Sequence, residues 1–548
     1  MSSPRETSEP LRAPQLPPQP PPQRSPLMEM LIIAAPSIVT MTSYTVMQFV
    51  DGKMVSEITP ADSVYVSAQG NGGMAVWLAL SLALGAMGVI NTFVSQNLGQ
   101  GTPERGSAYG WTALWMSLLW AIFLIPFGLF LPTLFANMGH PERLVELETQ
   151  YAQINIVGAF FVLGARGIAH FFYGLHKPSV IMISALIANV VNIALNALLV
   201  YGVEGPPSWV PFGTHMQSLA AALDLQPLGV AGAAIGTVCG AAIELAIPFA
   251  IFLSPWMHRK YQTRSAWRPS LAHFRDIIRL GWPAGVMFVN EMLCWAYLMA
   301  VMLPMGGAAK ARQLDLPPKE LEIAVDQAMT TANTAGWIAL RYMHLSFMPA
   351  VGMSIAVTAI VGKYMGMGRP DLAARRAWLG LGLTVAYMGL CALAFVLFRE
   401  QLVDVFVSDD LHLDKPEAAA ALLRVGATVM IAAAIFQVFD AVAITISGAL
   451  RGAGDTVWPG VVTVITSWVC IVGVGHALLY WAPGLGSVGP WIGASLYIVL
   501  LGVLFLWRFV AGRWKTIDVL GASAAGGRVD EEFPAPTEAL ASGLPGEV

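Results

Sequence analysis

"FQVFDAVAITISGALRGAGD", residues Phe436 to Asp455, is the stretch on which the fold turns. It is apolar enough to lie in lipid, yet Asp440 stands between Phe439 and Ala441. A charged side chain at mid-bilayer costs about 2.5–3.5 kcal/mol on insertion scales, so such residues usually face a cavity and take part in function. The meaning of Asp440 therefore depends on whether the whole chain is a membrane protein.

Composition says that it is. The 548 residues are 56% hydrophobic and only 12% charged, and mean hydropathy is +0.63. That charge content is about half the share usual in soluble domains. A net charge of −4 gives no case for nucleic acid. No phosphate-binding loop or nucleophile elbow occurs, so an ATP-driven pump or a hydrolase is not expected. Cys239, Cys294, Cys391 and Cys470 sit in apolar runs without metal-ligand spacing and read as buried thiols.

A spanning helix needs about 20 mostly apolar residues. Twelve such runs are expected, at 27–50, 68–98, 111–135, 149–172, 178–201, 228–254, 279–304, 333–362, 374–398, 418–446, 457–481 and 487–510. Each must be helical, because an unpaired backbone amide in lipid costs several kcal/mol. Around them lie a Pro-rich, disordered cytoplasmic tail (1–26), a basic inter-lobe loop (255–278) and a cytoplasmic C-terminal tail (511–548), polar and disordered from Gly521 on. With the N-terminus inside, loops and tails place 20 Lys and Arg inside and 7 outside. Both termini are thus expected in the cytoplasm of a multi-pass protein of the inner or plasma membrane. The two long outer loops, 203–227 and 305–332, read as solvated surface.

The chain repeats itself. "VSQNLGQGTPE" (94–104) near the end of span 2 matches "VGKYMGMGRPD" (361–371) near the end of span 8. "YGLHKP" (173–178) corresponds to "RGAGDT" (451–456), and "LGVAGAAIG" (228–236) to "LGSVGPWIG" (485–493). The expected fold class is therefore an all-α integral membrane protein. Its twelve transmembrane helices form an N-terminal lobe (27–254) and a C-terminal lobe (279–510), two six-helix bundles related by a pseudo-two-fold along the membrane normal.

Several carboxylates lie inside the spans. Asp440 shares a face with Gln437 and Ser447, and Glu291 is central in span 7 beside Asn290. Two carboxylates close together in low dielectric do not both ionise easily, and one proton or one cation relieves them. In the first lobe, Tyr44, Gln48 and Asp51 share one face of span 1, and Asn189, Asn192 and Asn196 share one face of span 5. Helix-to-helix hydrogen bonding is the competing reading of these asparagines. Arg166 and Arg341 are candidate charge partners, conceivably of Asp51 and Glu291. Lys53 pairs, on spacing, with Glu57. Arg451, Gly454 and Asp455 read as turn and helix-start chemistry.

The chain resembles the multidrug and toxic compound extrusion (MATE) transporters. The resemblance rests on "FVDGKMV" (49–55), "VSQNLGQGTPERG" (94–106), "NVVNIALNALLVYG" (189–202), "FVNEMLCW" (288–295) and "FDAVAITISGALRGAGD" (439–455). Acids at Glu291 and Asp440 place it nearest the NorM-like branch. The resemblance implies a monomeric secondary antiporter, not an enzyme and without a cofactor. It would work by alternating access in the lipid bilayer, exporting small organic, often cationic or amphipathic compounds in exchange for Na+ or H+. It implies cation coupling at Glu291 and Asp440 in the C-lobe and a cavity lined by Asp51, Asn192 and Asn196 in the N-lobe, with Asn189 an addition. Two acids in one bundle favour Na+. The alternative on the same fold is a flippase or exporter of a lipid-linked or specific metabolite cargo, which would need a basic cavity.

Overall fold

The structure is a computed structural model, and it describes residues 25–58, 63–407 and 416–521. The expected spans appear as α1 (Pro26–Ser56), α2 (Val64–Gln100), α3 (Pro103–Asn137), α4 (Glu142–Val157 with Ala159–Gly174), α5 (Pro178–Leu199) and α6 (Gly229–Phe252). The second set is α7 (Leu271–Ala311), α8 (Pro318–Gly366), α9 (Pro370–Leu397), α10 (Pro416–Ala453), α11 (Val457–Trp481) and α12 (Val488–Val510). Eleven are continuous enough to cross a membrane alone, and α4 becomes the twelfth when its two halves, bent by 49°, count as one span. No strand occurs among the described residues.

The repeat is visible in the backbone. Gly101 ends α2 with φ +81° and Gly368 follows α8 with φ +66°. In both places the next residue but one is a proline that opens the following helix, Pro103 and Pro370. Only glycine adopts this left-handed turn at little cost, and proline fits the first helical turn because its missing N–H has no partner there. His176 and Gly454 take the same left-handed position at the ends of α4 and α10 (φ +58° and +91°). All four turns lie at the face where the described chain begins and ends, here termed the terminal face.

The two lobes meet along the terminal half of the molecule. A Cβ at Gly85 of α2 would stand 2.6 Å from the Ala284 carbonyl of α7, and one at Gly352 of α8 would stand 2.7 Å from Ile38 Cα of α1. Side-chain donors of the N-lobe cap C-lobe carbonyls: Asn91 Nδ2 to Ile355 O (3.2 Å), Thr92 Oγ1 to Arg451 O (2.8 Å) and Gln96 Nε2 to Gly452 O (3.0 Å). His176 Nε2 lies 3.0 Å from Ala359 O. Glu29, buried at the start of α1, accepts from Tyr364 and from Arg376 Nε (2.8 Å), with Lys363 Nζ at 3.7 Å. In the outer half each lobe packs on itself: one cluster joins Met54, Val55, Tyr201 and Val230 of the N-lobe.

Three sequence expectations change. Residues 305–332 are not a loop. α7 runs to Ala311, and α8, 49 residues long, begins at Pro318. At 1.5 Å rise per residue α8 measures about 73 Å, more than twice the hydrocarbon thickness. A hydropathy criterion sees only the part in lipid; its first turns, "PKELEIAVDQ", are polar but good helix formers. Residues 203–227 are also structured, with a helix at Gly213–Ala222 and Val210 and Ala220 buried. Finally, residues 511–521 of the expected tail are seated against both lobes. The tails 1–24 and 522–548 lie outside the described residues.

Candidate functional site

Glu291 is aimed by its neighbour. Asn290 is buried, donates Nδ2 to Ser467 Oγ and accepts from Trp468 Nε1, both at 2.8 Å. Both partners sit in a widened π-helical stretch of α11, Ser467–Val474, a local form often found at functional positions. With α7 pinned to α11 by Asn290, the next side chain points toward α12, where Tyr497 Oη donates to Glu291 Oε1 at 3.0 Å. Asp440 comes from α10. It lies within electrostatic reach of Glu291 and Tyr497 and has no hydrogen-bond partner among the described residues. Gln437, one turn away, is occupied with Ser346 Oγ of α8 (3.0 Å). The structure thus brings Glu291 and Asp440 into one cluster and adds Tyr497. Nothing in the spacing of the sequence marked this tyrosine, because its α12 face is otherwise apolar.

Arg451 lies on the same α10, about three turns nearer the terminal face than Asp440. Its guanidinium is within electrostatic reach of Glu291 and, across the lobe boundary, of His170. The sequence offered it as turn chemistry; in the fold its carbonyl also receives the bond from Thr92.

In the N-lobe, Asp51 is buried at 7% exposure and accepts from Asn196 Nδ2 at 2.8 Å. The same Nδ2 lies 3.5 Å from Asn192 Oδ1. Asn196 Oδ1 is buried without a partner among the described residues. The amide fits only because Gly236 of α6 has no side chain; a Cβ there would overlap Asn196 Oδ1. Asn189 stands apart from this group and donates to Ser43 O and Oγ at 3.2 and 3.1 Å, tying α5 to α1.

The charge partners differ from those conceived from sequence. Arg166 Nη1 lies 3.4 Å from Glu244 Oε1 of α6 and its guanidinium is 4.0 Å above the Tyr44 ring. Tyr44 Oη also donates to Glu244. So Arg166 goes to Glu244 and not to Asp51, and Tyr44 leaves the stripe it shares with Asp51 in sequence. Helical spacing gives a common face but does not say which neighbouring helix each turn meets. Arg341 is exposed, lies 5.5 Å from the Phe406 ring and forms no ion pair with Glu291. At the outer rim Lys53 does not pair with Glu57. Trp209 of the 203–227 segment lies between them, its ring 4.5 Å below Lys53 Nζ and its Nε1 donating to Glu57 Oε2 at 2.8 Å.

Each lobe therefore holds a carboxylate group bonded only by neutral donors. Oxygen atoms of this kind suit a proton or a hard monovalent cation. Among the described residues no group of three or more His, Cys, Asp and Glu side chains could hold a metal.

Comparison with known proteins agrees with this layout. The MatE family matches residues 36–198 and 330–475, one segment in each lobe. The multidrug resistance protein NorM of Burkholderia vietnamiensis is 27% identical over 89% of this chain and 94% of its own. A probable multidrug resistance protein NorM of Pseudomonas putida is 26% identical over 90% and 96%. A solved MOP superfamily transporter from Pyrococcus furiosus, described as having a binding pocket of reverse polarity, superposes with a TM-score of 0.73. It is 19% identical, over 90% of this chain and 98% of that one, a level at which the likeness concerns the fold.

Proposed function

The chain belongs to the MatE family of membrane transporters, and on that premise we propose that it is a secondary antiporter that exports organic, often cationic or amphipathic, compounds in exchange for Na+ or H+. The observation that carries this reading is the Glu291–Asp440–Tyr497 cluster: two half-buried carboxyl groups, one hydroxyl donor and, among the described residues, no arginine or lysine bonded to either acid. Such a pair is relieved by taking up one external positive charge. Asp51 with Asn196 offers a second place of the same character in the other lobe, including the free Asn196 Oδ1. The relatives named multidrug resistance proteins support a drug-like cargo.

The lobe contacts supply the other half of the mechanism. With both ends of the chain in the cytoplasm, as the distribution of Lys and Arg favours, the closed terminal half makes this an outward-open form. The coupling ion would enter the acid cluster from outside. Export requires a second form, in which the terminal half opens and the outer half closes. Ion and cargo drive the exchange only if they bind the two forms with different affinity. The working unit is read as one chain in the inner or plasma membrane, and the ion is favoured to be Na+ because two acids share one lobe. A lipid-linked cargo with a pyrophosphate would need free basic groups in the cavity; Arg166 is already engaged by Glu244.

The test is ethidium efflux from everted vesicles under an imposed Na+ gradient or an imposed pH gradient, for wild type and Asp440→Asn. Transport under one gradient, lost in a variant of normal abundance, is the expected result and identifies the ion. Transport under neither gradient would overturn the drug-antiport reading.

A further inference from the structure

Beyond the last span the chain does not leave the protein. Gly512 turns it in the left-handed region (φ +72°), and Arg513–Thr516 forms a short 3-10 helix. Trp514 is fully buried and stacked on Phe509 of α12 at 5.0 Å, with its Nε1 donating to Phe509 O at 2.8 Å. It belongs to the C-lobe's apolar core. Three residues on, Ile517 packs against the cores of both lobes. Val519, 8% exposed, belongs to the N-lobe core, and Leu520 packs beside it. Asp518 caps the turn that carries them, accepting from Gly521 N at 2.7 Å.

Val519 also covers the α10–α11 turn. A Cβ at Gly454 would overlap Val519 Cγ2, so this glycine serves the crossing segment as well as its own left-handed backbone. Beneath the segment lies a cavity of about 340 Å³, walled by Gln96 and Gln100 of α2, Gly366 and Pro370 at the α8–α9 turn, and Lys515 and Asp518. The segment thus bridges the lobe boundary at its solvent edge. It is anchored in one lobe by a tryptophan and in the other by aliphatic side chains, over a space it does not fill.

We propose that residues 513–521 form a clasp that holds the lobes together at the terminal face, and that its N-lobe end, Val519 and Leu520, must lift before that face opens. The anchors are unequal. Trp514 is tied to its own lobe by stacking and by a hydrogen bond to a carbonyl five residues earlier, whereas Val519 and Leu520 reach the N-lobe core by apolar contact alone, Val519 resting also against Gly454 of the C-lobe. Separation therefore starts at Val519, and whatever binds or displaces this end sets how readily the terminal face opens. The inference rests on the fold and the lobe boundary, not on the identity of cargo or ion.

The experiment uses full-length, detergent-solubilised protein in which Cys239, Cys391 and Cys470 are replaced by alanine. A reporter cysteine is introduced by Ser95→Cys, at a position fully buried in the lobe boundary beside Gly362. The native Cys294, 2% exposed in the C-lobe core, is retained to report global unfolding. Reaction with a water-soluble maleimide is followed at each site in the parent, in Val519→Ala and in Val519→Asp. Burying one valine contributes enough to move a two-state equilibrium about tenfold. Labelling at position 95 is expected to rise several-fold in Val519→Ala and about tenfold or more in Val519→Asp, with Cys294 unchanged. Equal labelling at position 95 in all three proteins overturns the clasp. A parallel rise at both sites also overturns it, since the segment would then support the fold as a whole rather than the lobe boundary.

Discussion

Both lobes are built from six helices in the same order, yet the carboxyl groups in the middle of their spans have different company. In the N-lobe, Glu244 has an arginine and a tyrosine, while Asp51 has an amide. In the C-lobe, Glu291 has a tyrosine and Asp440 has only its neighbour's field. A carboxylate with its own arginine is a closed unit, since the charge is already balanced and removing either partner leaves the other stranded. One served by neutral donors is open to an outside charge. The comparison separates Glu244, which joins α1, α4 and α6 through Tyr44 and Arg166, from Asp51, Glu291 and Asp440, which no arginine or lysine among the described residues neutralises and to which the proposed coupling is assigned.

The largest expected effect comes from neutralising the open acids. Glu291→Gln or Asp440→Asn should lower gradient-driven efflux at least tenfold while the protein remains folded and abundant. If either variant transports normally, the contrast between open and closed acids collapses. Next in size is Glu244→Gln, which strands Arg166 in a largely buried place. A loss of about 3 kcal/mol in stability is expected, at the lower end for broken buried pairs. It should appear as a lower melting temperature in detergent, and Glu244→Gln combined with Arg166→Met should recover part of it. A variant that melts normally but loses coupling would move Glu244 into the open class.

Tyr497→Phe sharpens the comparison from within the C-lobe. It removes one donor to Glu291 and keeps the ring, a change of about 1 kcal/mol, or about fivefold. The half-saturating concentration of the coupling ion should shift by that factor with the maximal rate nearly unchanged. The smallest effect is expected for Asn189→Ala. Its bonds to Ser43 join two helices away from Asp51, and such membrane hydrogen bonds average about 0.6 kcal/mol. Ion-dependent transport should be unaffected, whereas Asn196→Ala, which strips the donor from Asp51, should alter it. Equal effects of the two would place Asn189 in the site after all.

Much of this was legible in the chain. Apolar run length set the spans to within a few residues at most edges, because lipid imposes one length and one backbone conformation. The Gly-x-Gly and Gly-x-Pro turns betrayed the repeat, because left-handed backbone and proline-led helix starts are local constraints that few residues satisfy. The acids stood out because lipid-buried charge is rare. The errors share a cause. At residues 305–332 and 511–521 the only sequence signal is hydropathy, which measures affinity for lipid and is blind to a helix in water or a strap held by Trp514 and Val519. The acid that Arg166 meets, Glu244, is not deducible from spacing, and Tyr497 and Glu29 carry no signal in the sequence.

What the sequence determined by itself is the set of interactions made between residues close along the chain: twelve helices, the turns between them, the duplication, and the candidate acids. Tertiary structure alone decided which acid meets which base, which amide serves Asp51, and which half of the molecule is shut. Those outcomes depend on the rotation and tilt of packed helices, set by small steric facts such as the missing side chains at Gly85, Gly236 and Gly352. Helical periodicity says which side chains share a face; only the packed neighbours determine what that face touches.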